Sequence, residues 1–213
     1  MTTIEAGVAF DLVEMDLLAT HAGMRWPFPL RVPSFGARAG DRAELLAEAG
    51  HGLHTRGLAE SHGPVGMAAE LVVALREHHS AVDLVVTGTV GAVAMVWGDA
   101  AVVCRQASEG TVWVTYVDAE TVGDELVALI PELKPAQIMP ITLEPGARFT
   151  QLDFTGQGQA GLIRNGERTE VSWLDSTSGR VRVTTNDGWV SVNPLRHNDL
   201  VRAIGELAAQ ARA

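Results

Sequence analysis

Trp97-Gly98-Asp99 is followed by Trp113-Val114-Thr115, and Trp173-Leu174-Asp175 is followed by Trp189-Val190-Ser191. The spacing between tryptophans is the same in both stretches. Each stretch then enters a helix-like segment, Leu126-Val127-Ala128-Leu129-Ile130 in the first and Leu200-Val201-Arg202-Ala203-Ile204 in the second. The flanking Asp and following Val recur with the tryptophans. The pattern reads as a strand–strand–strand–helix unit used twice, with the two copies packed about a local two-fold axis as one body. The four tryptophans either line an exposed sheet face or, more simply for matched strand positions, fill matched core sites.

Working outward, a period of two predicts strands at 83–87, 92–97, 100–107 and 111–117. The breaks between them are Thr87-Gly88, Gly98-Asp99 and Glu109-Gly110, which suit an antiparallel meander. A helix follows over 122–130 and stops at Pro131. The second copy predicts strands at 159–164, 169–175, 179–185 and 189–193. Asn165-Gly166 and Asp187-Gly188 are hairpin turns, since both residue pairs tolerate positive φ. Asn193-Pro194 ends the last strand. The terminal helix runs from about residue 197 to 211, with Leu200, Val201, Ile204 and Leu207 inward. Consecutive strands are joined by turns too short for crossovers, which argues against a parallel βαβ fold.

Upstream, Asp11 and Glu14 make a capping box that opens a helix, with Val13, Leu17 and Leu18 on one face and Gly23 as its stop. Phe28 to Pro33 contains two prolines and can only be an edge strand or an extended segment. Two more helices are predicted at 41–56 and 67–78. Pro131, Pro135, Pro140 and Pro145 mark a connector. The chain reads as one α+β domain: a first half at 1–130, a connector at 131–148 and a second half at 149–213. A quasi-two-fold repeat of antiparallel strands forms its central sheet, with flanking helices.

The composition narrows the function classes. The net charge is −10 and Lys134 is the only lysine. That balance argues against nucleic-acid binding, which needs clustered cations. The single cysteine, Cys104, excludes an intramolecular disulfide and reads as core filler. No apolar run nears the ~20 residues of a membrane span. No secretory signal opens the sequence, so the chain is expected to be soluble and cytoplasmic.

Candidate chemistry is sparse. His51 and His54 share one helix face, the spacing of two metal ligands, but no Asp- or Cys-rich cluster accompanies them, and no metal or cofactor is expected. Gly156 to Gly161 resembles a phosphate loop but introduces a strand, so the anion-binding helix end is missing. There is no G-x-S-x-G elbow, P-loop lysine or H-E-x-x-H motif. Arg180 and Arg182 alternate with Val181 and Val183, which puts paired cations on one strand face. That face is either simply solvated or a docking surface for an acidic partner.

The residues resemble those of the EspG family, chaperones of type VII (ESX) secretion. The resemblance rests on Phe10-Asp11-Leu12-Val13-Glu14-Met15-Asp16-Leu17-Leu18, Leu30-Arg31-Val32-Pro33, Val82-Asp83-Leu84-Val85-Val86 and Trp97-Gly98-Asp99-Ala100-Ala101-Val102-Val103. Its most specific part is Val171-Ser172-Trp173-Leu174-Asp175-Ser176-Thr177-Ser178-Gly179-Arg180-Val181, followed by Asp187-Gly188-Trp189-Val190-Ser191-Val192. The resemblance implies a non-enzymatic chaperone that keeps helical secretion substrates soluble, either a PE–PPE heterodimer or a WXG100-like protein. It implies a binding surface made of Thr87, Gly88, Thr89 and Val90, the Arg180 and Arg182 strand, and Arg196 and Arg202 on the last helix. A homodimer is left open. The alternative from another class is a small-molecule binding protein or enzyme with a pocket between the repeats, with His51 or His54 in it.

Overall fold

The computed structural model describes residues 7–88, 90–108, 110–146 and 153–213. β1 (Val8–Asp11) leads straight into α1 (Leu12–Ala22). Then come α2 (Ala39–Thr55), a hairpin of β2 (Ala59–Glu60) and β3 (Gly63–Pro64), and α3 (Met67–Glu77). β4 (Ser80–Val86), β5 (Val90–Trp97), β6 (Ala100–Ser108) and β7 (Thr111–Asp118) form the first meander, which ends in α4 (Val122–Val127). The connector holds β8 (Ile141–Leu143). β9 (Phe154–Arg164), β10 (Glu167–Ser176), β11 (Gly179–Asn186) and β12 (Trp189–Pro194) form the second meander, which ends in α5 (His197–Arg212).

Among the described residues, ten strands join in one sheet, in the order β1-β7-β6-β5-β4-β9-β10-β11-β12-β8. The order reads the same outward from β4 and from β9: four meander strands in chain order, then a short edge strand. The quasi-two-fold axis therefore passes between β4 and β9, which pair antiparallel from Ser80↔Arg164 to Val86↔Gly158. The hairpins form where the turn chemistry places them. Asn165 and Gly166 have φ of 51° and 79°, and Asp187 and Gly188 have 47° and 82°. These are the positive values that tight hairpins need.

Directly paired strand residues share a face, so the register assigns every side chain to one side. On one side, α4 and α5 pack together over Val82, Leu84, Ala94, Ala101, Ala160, Leu162 and Trp173. On the other side, α1 and α3 lie over Phe10, Ala81, Val93, Met95, Val102, Cys104, Val112 and Val114, with Leu53 of α2 in the same cluster. That bundle covers the first half only. On the same side, the second half has a small cluster of Ala136 from the connector against Val181 and Val192. The connector is tied there by Arg180 N–H to Lys134 O and Ala136 N–H to Arg180 O, at 2.8 and 3.0 Å.

The Asp11–Glu14 capping box is present, with Glu14 N–H to Asp11 at 2.8 Å and Asp11 N–H to Glu14 at 3.0 Å. Several elements depart from the sequence reading. Phe28 to Pro33 is not a strand, and it is not extended throughout: Phe28 and Pro29 form a turn, with Leu30 N–H donating to Pro27 O at 3.2 Å, and residues 30–33 have no regular structure. The helix expected over 122–130 ends at Val127, and β9 begins at Phe154 rather than 159. Residues 147–152, read as a helical turn or nothing regular, lie outside the described residues.

The tryptophan register needs a larger correction. Trp97↔Ala100 closes the β5–β6 hairpin, and Ser176↔Gly179 closes the β10–β11 hairpin. The structural counterpart of Trp97 is therefore Ser176, and Trp173 stands three residues earlier. An odd shift along a strand reverses the face. Trp97 packs on the bundle side, edge-on to Tyr116 at 6.1 Å, whereas Trp173 packs under α5. Of the four matched tryptophans only Trp173 is fully buried. Trp97 is half-buried, and Trp113 and Trp189 are each 46% exposed.

Candidate docking face

On the bundle side, the half-open part of the sheet starts at the axis. Val85 pairs with Gln159, and Gln159 with Ser172. These residues, with Thr87, Gln157, Gly158, Trp173, Leu174 and Val183, line a shallow groove of about 240 Å³. Val85, Leu174 and Val183 are its apolar part. Gln157, Gln159, Thr87 and Ser172 supply neutral groups that both donate and accept hydrogen bonds. Among the described residues, none that lines it has a titratable side chain. The pocket imagined between the repeats around His51 or His54 is not this groove. Both histidines are exposed on α2, and His54 Nδ1 lies 2.9 Å from the Ala59 carbonyl.

A charged cluster stands beside the groove. Asp83 is 1% exposed and is held by Arg168 in a two-pronged contact at 2.6 and 2.9 Å. The guanidinium lies over Gly161, where any Cβ would fall 2.4 Å from Nη2. Its Nε donates to Glu170 at 3.0 Å, and Gln159 Nε2 donates to the same Glu170 oxygen at 2.7 Å. The Asp83 and Glu170 bonds hold the Arg168 pKa above its ordinary value, against the opposing effect of burial. The Arg168 Cζ also lies 5.9 Å from the centre of the exposed Phe28 ring.

Phe28 belongs to the strap between α1 and α2, which is fastened at several points. Trp26 Nε1 donates to Met15 O at 3.0 Å, Phe35 N–H donates to Asp16 at 2.8 Å, and Arg31 and Gln106 exchange two bonds at 2.8 and 3.2 Å. Arg42 grips Asp16 at 2.6 and 3.0 Å. Burial raises the Asp16 pKa, but the Arg42 hydrogen bond, the Phe35 N–H and the Arg42 charge outweigh it and hold the carboxyl below its usual range.

The structure does not gather the eight residues named from the sequence onto one surface. Thr87 rims the groove and Gly88 is exposed beside it at φ 76°. Thr89 and the Val90 side chain lie outside the described residues. Arg180 is the clear correction, because it is not on an open face: it is 0% exposed. Its partner is Asp175, directly across the hairpin, at 2.6 and 3.0 Å, and its Cζ lies 5.5 Å from the Trp173 ring centre. Arg182 is exposed but pairs across the strand with Trp173, which puts it on the α5 side. Arg196 precedes α5, and Arg202 on α5 meets Asp199 at 3.2 Å; both are exposed on the side away from the groove. The sequence reading missed Leu174, Val183, Gln157, Gln159 and the Arg168 cluster. Its signal was available in the strand alternation of 170, 172 and 174, once those positions are known to share a face with Val85.

The sequence over residues 11–147 matches the EspG family model. The chain belongs to the EspG family. Its fold is similar to that of EspG5, the type VII secretion system chaperone of Mycobacterium tuberculosis, solved in complex with a PE25–PPE41 dimer. The TM-score is 0.63 over 96% of each chain at 9% identity, a likeness of fold. No curated protein matches by sequence. In this EspG-family chain no described helix is long and apolar enough to cross a membrane, and no three His, Cys, Asp or Glu side chains among the described residues are grouped to hold a metal.

Proposed function

We propose that this chain is a non-enzymatic chaperone of a type VII secretion system. It takes the tip of a helical secretion substrate, of the PE–PPE or WXG100 kind, onto the open bundle-side face of β9–β11 and keeps that substrate soluble in the cytoplasm. The two halves act as one body in this reading. The observation that carries it is the groove of Val85, Leu174 and Val183 edged by Gln157, Gln159, Thr87 and Ser172. The turn between two helices exposes apolar side chains together with helix-end carbonyls and N–H groups that lack partners. A groove with an apolar floor and two-way polar groups answers both needs. Its small volume suits a turn rather than a whole helix. EspG5, of the same fold, was solved with a PE–PPE dimer bound, which supports the partner class.

Co-expression with the helical-hairpin proteins encoded beside the gene, followed by size-exclusion chromatography, tests the reading. The expected result is a stoichiometric complex with a client that is insoluble when expressed alone. Elution of this chain by itself, with every neighbouring protein soluble unaided, would remove the function.

A further inference from the structure

The Arg168 cluster carries one charge more than the fold requires. Asp83 alone neutralises the guanidinium, and its two contacts account for the burial of the Asp83 carboxylate. Glu170 adds a second carboxylate to the same cation, and its side chain is 47% exposed. One of its oxygens is fixed by two donors, Arg168 Nε and Gln159 Nε2. The hydrogen bonds described for Glu170 leave its other oxygen free to accept. Gln159 is itself a groove residue, so the carboxylate stands at the margin of the groove and is already held in place. Ordering it on binding loses little conformational freedom. The whole chain is acidic as well, at −10, which draws a cationic segment toward it.

Resting on the docking reading above, we propose that Glu170 is the charge-selecting residue of this groove. The client turn presents an arginine or lysine side chain to it, next to the apolar residues that enter between Leu174 and Val183. The Phe28–Arg168–Asp83 assembly is the support that fixes the carboxylate, and the contact is a charge-assisted hydrogen bond.

The test uses the full chain and the complex recovered by co-expression, with the relative affinity of each variant measured by its displacement of labelled wild-type chain from that complex at low and high salt. Glu170→Gln keeps the Asp83–Arg168 contact and is expected to weaken binding about 10-fold; Glu170→Lys is expected to weaken it about 100-fold. Both should flatten the salt dependence. Thermal unfolding should fall slightly for Glu170→Gln and further for Glu170→Lys, which sets a second cation beside Arg168. Changing the client's basic tip residue to Glu should restore affinity for Glu170→Lys, a rescue that a purely structural role would not give. Leu174→Asp separates the two readings. If it abolishes binding while Glu170→Lys binds as the wild type does, the groove docks the client and the charge selection is wrong. If Leu174→Asp binds normally, the client sits elsewhere and both readings fall.

Discussion

On the bundle side of the sheet, the first half is covered by three helices and the second half by a few residues of extended connector. The strands beneath differ accordingly. Val93, Met95, Val102, Cys104, Val112 and Val114 are at or near complete burial, an unbroken apolar floor. The matching area of β9–β11 alternates Gln157, Gln159, Glu170, Ser172, Leu174 and Val183, which is too polar to demand a permanent cover and too apolar to be plain surface. One architecture thus carries a finished core and an unfinished one on the same side. The lesson is that quasi-symmetry in topology does not require symmetry in covering, and the uncovered copy is where binding can evolve.

Truncating the two floors should show the largest difference between the halves. Met95→Ala in the covered half should destabilise by about 2–5 kcal/mol. Leu174→Ala in the open half should cost less, about 1–2 kcal/mol, since Leu174 is only partly buried against the small cluster of Ala136, Val181 and Val192. Urea midpoints measure both, and equal losses would mean that the open half is not open. Next comes the seam. Arg168→Ala leaves the Asp83 carboxylate buried without its cation, and the expected loss is about 2–3 kcal/mol, below the usual range for a buried pair because Arg168 is partly exposed. Gly158→Ala should be somewhat milder, about 1–3 kcal/mol: its Cβ would stand 2.0 Å from the Trp173 ring, which must tilt. A shift in tryptophan emission would accompany it. The smallest effect concerns the strap. The lowered Asp16 pKa contributes stability that is present above the ordinary carboxylate value near 3.8 and is lost as pH falls through the lower folded value. Asp16→Asn should lose less than about 1 kcal/mol at pH 7 and flatten the acid side of the stability profile.

Much of the fold was legible because its turns are local. Asn165-Gly166, Gly98-Asp99 and Asp187-Gly188 are chemically committed to hairpins, and the meanders follow from them. β1, β2 and β3 were not legible, because strands of two to four residues carry no period. The early start of β9 was hidden by its glycines. Gly158 and Gly161 are small because Trp173 and Arg168 lie across them, partners that only the folded sheet supplies. The same limit explains Arg180. Alternation of Arg and Val separates two faces but does not say what covers each, and here Asp175 and the Trp173 ring lie against Arg180 while the connector covers Val181. One signal was present: with a two-residue turn at Thr177-Ser178, Asp175 and Arg180 must stand opposite each other. Of the residues that line the groove, the sequence reading named Thr87, with Gly88 beside it. The groove itself was not legible, since it is assembled from β4, β9, β10 and β11 and no local pattern contains it.

The pairing of β4 with β9 also has a consequence in time. During synthesis the first half leaves the ribosome well before β9 exists, and β4 is then the bare margin of a growing sheet. Its sequence, Ser80-Ala81-Val82-Asp83-Leu84-Val85-Val86, would be a sticky template for any other nascent strand but for one residue. Asp83 points inward from its middle, and an inward charge is a recognised guard against edge-to-edge pairing. The guard is lifted only when Arg168 emerges on β10 and neutralises it, so the β9–β10 hairpin brings both the strand that pairs with β4 and the cation that lets the aspartate be buried.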